Sequence, residues 1–420
     1  MADIIRAVHA WEALDSRGNP TVAVSVETAS GGRGKALAPA GASAGGHEAT
    51  FLRDNADHYS GGSVRGVIAA SLPLVNSAVI GLDADDPQAL DHALRFVDGT
   101  KDWSLLGGNM TTAFTIAAWL AVADARDLAP WQVMSGWTGA TASLPVPMVN
   151  IVSGGAHAAR AVDIQDVLAI PLSATNVEEA IEHVWRIRRG TSQVMNDHGF
   201  STALVADEGG LAAAFDSSEF AVGVVADGSE RAGLKLGGDT ALALDIAANQ
   251  FHLSGSQYEF EGKNLSSADI IDILAGWAAR WPIASIEDPL AEDDDWSVAA
   301  PLLATSQVVG DDRYATSLDR LARGIELGEA NSVLIKPNQA GSLWQTMSAV
   351  ALAQNAQWGT IVSARSGDTE EQWLVDLAVG TNAGQIKVGS TMRSERTAKW
   401  NRLLEISARD NIPYTPPSER

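Results

Sequence analysis

Six charged residues follow short apolar runs in the second half of the chain, and they are its first candidates for chemistry. The runs end at Asp245, Glu287, Asp311, Lys336, Arg365 and Lys387. Carboxylate oxygens are the ligands that Mg²⁺ prefers, and the three basic groups would hold an anionic substrate. Because like charges disfavour protonation, the two lysines are expected to lower each other's pKa. A lysine of lowered pKa beside a divalent ion can remove a proton next to a carboxylate.

A single acidic residue after a strand also has an ordinary explanation, because such residues often cap the following helix. The six residues recur at intervals of 22 to 42 positions. A strand and its crossover helix occupy about 30 residues. This regular recurrence favours one functional set over six unrelated caps.

The runs and the helical patterns between them predict successive strand–helix units. Such units imply a parallel sheet, and closure as a (β/α)8-type barrel places functional groups at the carboxyl ends of the strands. Residues 251–258 predict an extra hairpin within the longest interval. Capping boxes predict helix starts at Thr175 and Asp216.

The first third of the chain has a different pattern. Residues 21–27 alternate as a strand, Gly31 and Gly32 predict a turn to a second strand, and 64–130 are helical, with a buried helix at 111–123. We therefore predict an α/β protein in which an N-terminal α+β capping domain (1–137) precedes a barrel domain (144–420). A stretch rich in Gly, Thr and Ser joins them.

Composition excludes several classes of function. The 420 residues contain 29 Lys and Arg against 52 Asp and Glu, a net charge of −23, which argues against nucleic acid or an anionic membrane as a partner. The absence of cysteine excludes disulfides, zinc–thiolate sites and thiol nucleophiles. The start of the chain lacks the pattern of a signal peptide, so a cytoplasmic protein is expected.

Nine short sequence motifs resemble motifs of the enolase family. They occur in the family's order and extend over nearly the whole chain. They lie at 14–22 (LDSRGNPTV), 41–43, 145–157 (PVPMVN leading into SGGAH), 207–210, 244–245, 285–288, 310–312, 334–339 and 384–387. The resemblance implies an enolase-like fold, a homodimer or ring of dimers, and a small phosphorylated carboxylate as substrate. It also implies two Mg²⁺ ions, the second arriving with substrate.

The same resemblance assigns roles to individual residues. The tighter magnesium would be held by Asp245, Glu287 and Asp311, and the second by Ser43, which also contacts substrate. Catalytic roles fall to Lys336 (the base for the C2 proton), Lys387, Glu208 (the acid for the 3-hydroxyl), Asp166 and His157. Substrate contacts fall to Arg365, Ser366, Ala364 and Gln165, with Arg365 and Ser366 as the phosphate pair.

Two departures from the family pattern fall inside this predicted site. The family's Ser-His-Arg-Ser-Gly-Glu is SARSGD at 363–368, so Ala364 replaces a histidine, and Asp166 replaces a glutamate. Smaller departures occur at 40–45 and 103–109. The space gained beside the phosphate pair suggests a divergent member similar to carboxyphosphonoenolpyruvate synthase, which uses CMP-phosphonoformate in phosphonate antibiotic biosynthesis. An ordinary phosphopyruvate hydratase and a non-catalytic binding protein remain the alternatives.

Overall fold

The computed structural model describes residues 2–42, 45–55 and 57–415, and it begins with a three-stranded antiparallel sheet packed against helices. The strands are β1 (Ile5–Leu14), β2 (Pro20–Thr28) and β3 (Arg33–Leu37), and the helices are α1 (Arg65–Val79), α2 (Pro87–Asp98), α3 (Gly108–Ala125) and α4 (Pro130–Thr138). The turn at Gly31 and Gly32 joins β2 to β3, as predicted. Helix α3 is buried along nearly its whole length, which confirms the buried helix expected there.

Eight of the remaining strands close into a barrel. They are β4 (Val146–Ser153), β5 (Asp166–Pro171), β6 (Thr240–Asp245), β10 (Ile283–Glu287), β11 (Gln307–Gly310), β12 (Ser332–Ile335), β13 (Gly359–Ser363) and β14 (Gln385–Lys387). The predicted hairpin is β7 (His252–Ser254) with β8 (Gln257–Phe260), and β9 (Lys263–Ser266) adds a third strand to it. An N-terminal domain followed by a closed barrel confirms the predicted fold class.

The barrel helices surround these strands and connect most of them. They are α5 (Val177–Asp197), α6 (Ser218–Arg231), α7 (Ser267–Arg280), α8 (Ala300–Leu303), α9 (Leu318–Leu327), α10 (Pro337–Ala340), α11 (Leu343–Asn355), α12 (Trp373–Gly380) and α13 (Ser394–Arg409). None of the helices in the described part of the chain is long and apolar enough to cross a membrane. The predicted caps of α5 and α6 were wrong by one residue: the caps are Asn176 and Ser217, because these good acceptors stand directly after Thr175 and Asp216.

One strand runs against the others, so the prediction of a parallel sheet was wrong for this part of the barrel. Strand β5 pairs antiparallel with both β4 and β6, because β4 and β5 are joined by a loop at 154–165 instead of a crossover helix. As a result Asp166, the first residue of β5, lies at the same end of the barrel as the last residues of its neighbours. Its register partners are Ser153 and Asp245.

Apolar side chains fill the barrel below this end. Val146, Met148, Leu168, Ile170, Ala243, Val309, Leu334 and Ile361 form one buried cluster. The barrel interior is therefore a packed core, and the polar groups lie above it at the carboxyl ends of the parallel strands.

The N-terminal domain forms hydrogen bonds with the segment that follows β12. The Thr111 hydroxyl donates to the carbonyl of Gly341 (2.7 Å), and the Trp103 ring nitrogen donates to the carbonyl of Ala340 (3.2 Å). The amide of Ala49 donates to the carbonyl of Gln339 (2.8 Å). These bonds fix the backbone just after Lys336 from the side of the N-terminal domain.

Replacing Gly34 by alanine is expected to destabilise the protein. A Cβ atom at Gly34 would lie 2.0 Å from the carbonyl oxygen of Ala117 and 2.4 Å from the amide nitrogen of Ala121. Both atoms belong to the backbone of α3, so the clash can be relieved only if the helix shifts. Overpacking of this kind costs about 1–3 kcal/mol. Thermal unfolding followed by circular dichroism should show a lower Tm.

The matched control is Gly276→Ala within α7. A Cβ atom there meets nothing within 4 Å, and alanine favours a helix over glycine by about 1 kcal/mol. Its Tm should stay level or rise. Equal Tm values for the two variants would contradict the close approach of α3 to β3.

Candidate active site

The structure brings the six charged residues together at one end of the barrel. Asp245, Glu287 and Lys387 are the last residues of β6, β10 and β14, while Asp311 and Lys336 directly follow β11 and β12. Arg365 follows β13 by two residues. All except Lys336, which is half-buried, are buried. Strand closure therefore places three acidic and three basic side chains around one small space.

Each of the three carboxylates is bound to a lysine. The ammonium of Lys387 donates to Oδ2 of Asp245 and Oε2 of Glu287, both at 2.7 Å, and the ammonium of Lys336 forms an ion pair with Asp311. The amide of Gln165 donates to Oδ2 of Asp245 at 2.9 Å. The two lysines thus offset part of the charge of the three buried carboxylates, which lowers the cost of burying them.

These ion pairs overturn the expectation of lysines with lowered pKa values. Burial opposes the charge on Lys336, but Asp311 raises the pKa of that lysine above its ordinary value. Burial likewise opposes the charge on Lys387, yet Asp245 and Glu287 raise its pKa well above the usual range. The prediction was wrong because it weighed only the repulsion between the lysines and left out the carboxylates in direct contact with them.

Burial shifts the pKa values of the acidic groups to different extents, because their charged neighbours differ. Burial, with repulsion from Asp245 as the second cause, raises the pKa of Glu287 well above its usual value. Burial acts the same way on Asp311, but Lys336 lowers the pKa of that carboxyl overall. The three carboxylates offer only oxygen atoms as metal ligands, and all three side chains are buried. Oxygen ligands of this kind suit Mg²⁺. The chemistry of these residues therefore fits such an ion, but Asp245, Glu287 and Asp311 together are not one of the groups of described residues whose ligand atoms all lie within 4.8 Å of one another.

Sequence reasoning missed a second acidic group beside the first. One oxygen each from Asp288, Asp311 and Asp312 lies within 4.8 Å of the others, so this group could also hold a metal ion. Asp288 accepts the backbone amides of Asp311 (2.9 Å) and Asp312 (2.8 Å), so it fixes the loop after β11. Burial and the charge of Asp311 raise the pKa of Asp312 to about 7. The sequence does contain a pattern that could have predicted this group: Asp288 directly follows Glu287, and Asp312 directly follows Asp311.

His157 stands between two further carboxylates at the same end of the barrel. Its Nδ1 lies 2.9 Å from Oδ2 of Asp166, and its Nε2 lies 3.7 Å from Oε1 of Glu208. The other oxygen of Asp166 accepts from the Asn150 amide at 2.5 Å. Burial disfavours the charged imidazole, but Asp166 and Glu208 raise the pKa of His157 to about 9. His157 is therefore protonated at neutral pH.

His157 lowers the pKa of both carboxylates, but their net pKa shifts have opposite signs. Burial is the main cause that raises the pKa of Asp166, although His157 opposes it. Burial acts the same way on Glu208, but His157 and then Arg396 lower the pKa of that group overall. Glu208 is consequently ionised in the structure described.

The predicted phosphate pair is held by groups that the sequence did not single out. Arg365 binds Glu48 through two bonds of 2.8 and 3.1 Å, and Glu48 raises the pKa of Arg365 against the effect of burial. The hydroxyl of Ser366 accepts from the amide of Ala42 at 2.5 Å. Ala364 is buried and borders the same enclosed space as Lys336 and Lys387. Ser43 lies outside the described residues.

Two buried cations on α13 support this segment from behind. Arg396 donates to the carbonyls of Arg365 (2.8 Å) and Ser366 (2.7 Å). Lys399 forms an ion pair with Asp368 at 2.7 Å. Sequence reasoning missed both, because a charged residue within a surface-type helix gives no sign that it will be buried.

The fold and this arrangement define an α/β-barrel enzyme of the enolase superfamily. The model described as "Enolase, N-terminal domain" matches residues 5–134, and the model described as "Enolase, C-terminal TIM barrel domain" matches residues 141–413. The chain therefore belongs to the enolase family.

The raised pKa of His157 can be measured directly. Histidine-selective NMR of the protein in EDTA should show one imidazole titrating near pH 9, assigned by its loss in His157→Asn and its persistence in His92→Asn. Because the folded pKa exceeds the unfolded value of about 6.5, this ring's contribution to stability is fully present below about pH 6.5. That contribution is lost as the pH rises through about 9. An assigned signal that titrates near 6.5 would contradict the pairing with Asp166.

Proposed function

We propose that this protein is a magnesium-dependent enzyme that removes the C2 proton of 2-phosphoglycerate. The observation that carries the proposal is the enclosed space at the strand ends, where Lys336 and Lys387 face Asp245, Glu287 and Asp311 beside Arg365. A substrate with a phosphate and a carboxylate needs cations at two points and a base between them. The buried site supplies these groups and also limits access of water.

The metal roles are assigned to the three strand-end carboxylates. Asp245, Glu287 and Asp311 would hold the tighter ion, and Ser43 would contribute to the second. When bound, Mg²⁺ supplies positive charge that stabilises the charge developing on the substrate carboxylate. Lys387, between Asp245 and Glu287, would bind that same carboxylate.

Proton transfer is assigned to Lys336 and Glu208. Lys336 takes the C2 proton in its neutral form, so its ion pair with Asp311 has to loosen first. The electron pair left at C2 forms the C2–C3 double bond as the 3-hydroxyl departs. Glu208 is ionised in the structure described, so it has to take up a proton when substrate binds; it then gives that proton to the departing hydroxyl, which leaves phosphoenolpyruvate and water. His157, held by Asp166, lies against Glu208 and orients it.

Lys336→Ala is expected to slow the first of these steps, the removal of the C2 proton. With 2-phosphoglycerate and Mg²⁺ in D₂O, the wild-type protein should exchange the C2 proton for deuterium, as followed by proton NMR. Loss of a general base should slow exchange by about 10²–10⁴-fold. Lys263→Ala, at an exposed lysine of β9, is the control and should exchange at the wild-type rate.

Absence of exchange in the wild-type protein would defeat the proposal. If calorimetry then also showed no binding of Mg²⁺, the non-catalytic alternative would be favoured. A homodimer or ring of dimers is proposed on the family resemblance alone, and sedimentation velocity tests it. A cytoplasmic location stays the expectation drawn from the sequence.

Ala364 supports a more specific reaction, that of a carboxyphosphonoenolpyruvate synthase. It borders the enclosed space next to Arg365, where the family pattern has an imidazole, so a group larger than phosphate can approach. In the balanced overall reaction, 2-phosphoglycerate and CMP-phosphonoformate give carboxyphosphonoenolpyruvate, CMP and inorganic phosphate. The plain hydratase reaction needs no second substrate.

Phosphorus NMR separates the two reactions. The wild-type protein with 2-phosphoglycerate and Mg²⁺ should form carboxyphosphonoenolpyruvate only when CMP-phosphonoformate is added, and Ala364→His should shift the product towards phosphoenolpyruvate by about tenfold or more. Ala378→Ser, on the outer helix α12, controls for substitution of a buried alanine. Rapid formation of phosphoenolpyruvate by the wild-type protein without the second substrate would rule out the synthase reaction.

A further inference from the structure

A cavity of about 930 Å³ opens beside the active site, between the N-terminal domain and the barrel. Arg53, Arg95, Lys101, Trp103, Asn338 and Gln345 are among its lining residues. It shares Gly41, Ala42 and Arg365 with the enclosed space at the strand ends, which measures only about 40 Å³. A ligand bound at Arg365 can therefore extend into the larger cavity.

The cavity is positively charged, although the protein as a whole is strongly acidic. Its walls carry five Arg and Lys side chains against three carboxylates. Arg53 donates to the carbonyls of Pro20 and Gly62. Arg95 donates to the carbonyl of Lys101, and Asp91, Asp98 and Asp102 lie near enough to act on its charge. In a chain of net charge −23, this excess of cations over carboxylates around one concave surface favours an anionic ligand.

The two arginines are held in place by aromatic rings. The Arg95 guanidinium carbon lies 3.6 Å from the centre of the Trp103 ring, and that of Arg53 lies 4.7 Å from the centre of the Phe51 ring. Trp103 has a left-handed backbone (φ 61°), a strained conformation of the kind that collects at ligand sites. The charged groups are thus positioned before any ligand binds, which lowers the cost of binding.

Asn338 adds an unsatisfied polar atom to the same cavity. Its side chain is 7% exposed, and its Oδ1 is buried without a hydrogen-bond partner among the described residues. A buried amide oxygen with no partner is costly. Because the atom itself is buried, an N–H or O–H group of a ligand would satisfy it only after the Asn338 side chain turned towards the cavity.

We propose that this cavity binds the nucleoside monophosphate portion of a cosubstrate, which is cytidylyl in the synthase reaction above. The inference rests on that proposed function. A cavity of this size suits a ligand of nucleotide size, whereas 2-phosphoglycerate alone does not need it. The cations would bind the nucleotide phosphate, and Asn338 would accept from a base amino group or a ribose hydroxyl.

The test is calorimetric titration of the protein with CMP in the presence of Mg²⁺ and 2-phosphoglycerate. Saturable binding is expected, with cytidine and inorganic phosphate each binding more weakly. Lys101→Glu and Arg95→Gln should weaken CMP binding by about fivefold to tenfold, because each removes positive charge from the wall. Lys263→Glu, the same charge reversal at an exposed site on β9, should leave it within twofold.

The outcomes separate this inference from the proposed function. If C2 exchange occurs but CMP does not bind, the cavity assignment alone is wrong. If CMP binds but no C2 exchange occurs, the proposed reaction is wrong and the nucleotide site stands. Equal losses in Lys101→Glu and Lys263→Glu would place the nucleotide elsewhere, and so would an equal loss of 2-phosphoglycerate affinity in Lys101→Glu.

Discussion

Pairing of buried charge is the constraint on which the rest of this structure depends. Asp245, Glu287 and Asp311 are taken out of water at the end of an apolar barrel, and an isolated carboxylate there would cost several kcal/mol. Lys387 of β14 and Lys336, directly after β12, offset part of that cost through direct ion pairs. The same pairs fix the protonation states, so the reactivity of either lysine is coupled to whatever else the carboxylates bind.

Support for this cluster comes from outside the barrel as well as from its strands. The N-terminal domain bonds to the backbone between Gln339 and Gly341, directly after Lys336, and Glu48 of the same domain holds Arg365. On the other side, Arg396 of α13 holds the carbonyls of Arg365 and Ser366. The position of the cationic groups is therefore a property of two domains and not of the barrel alone.

Sequence reasoning predicted the elements better than their directions and partners. Apolar runs ending in charge located β6 and β10 to β14, because that pattern reports burial and strand length locally. The reversed β5 was missed, since strand direction depends on a loop and not on the strand's own residues. Raised lysine pKa values and the Glu48–Arg365 pair were missed for a related reason: they arise from contacts between distant segments.

The reversed strand also changes what the loop at 154–165 is free to do. A crossover between parallel strands has to travel the full height of the barrel, so its minimum length is set by that distance. The β4–β5 connection begins and ends at the active-site end of the barrel. It contains His157 and does not have to cross the height of the barrel. Insertions or deletions in it can therefore reshape the cover of the site while the strand register below stays unchanged.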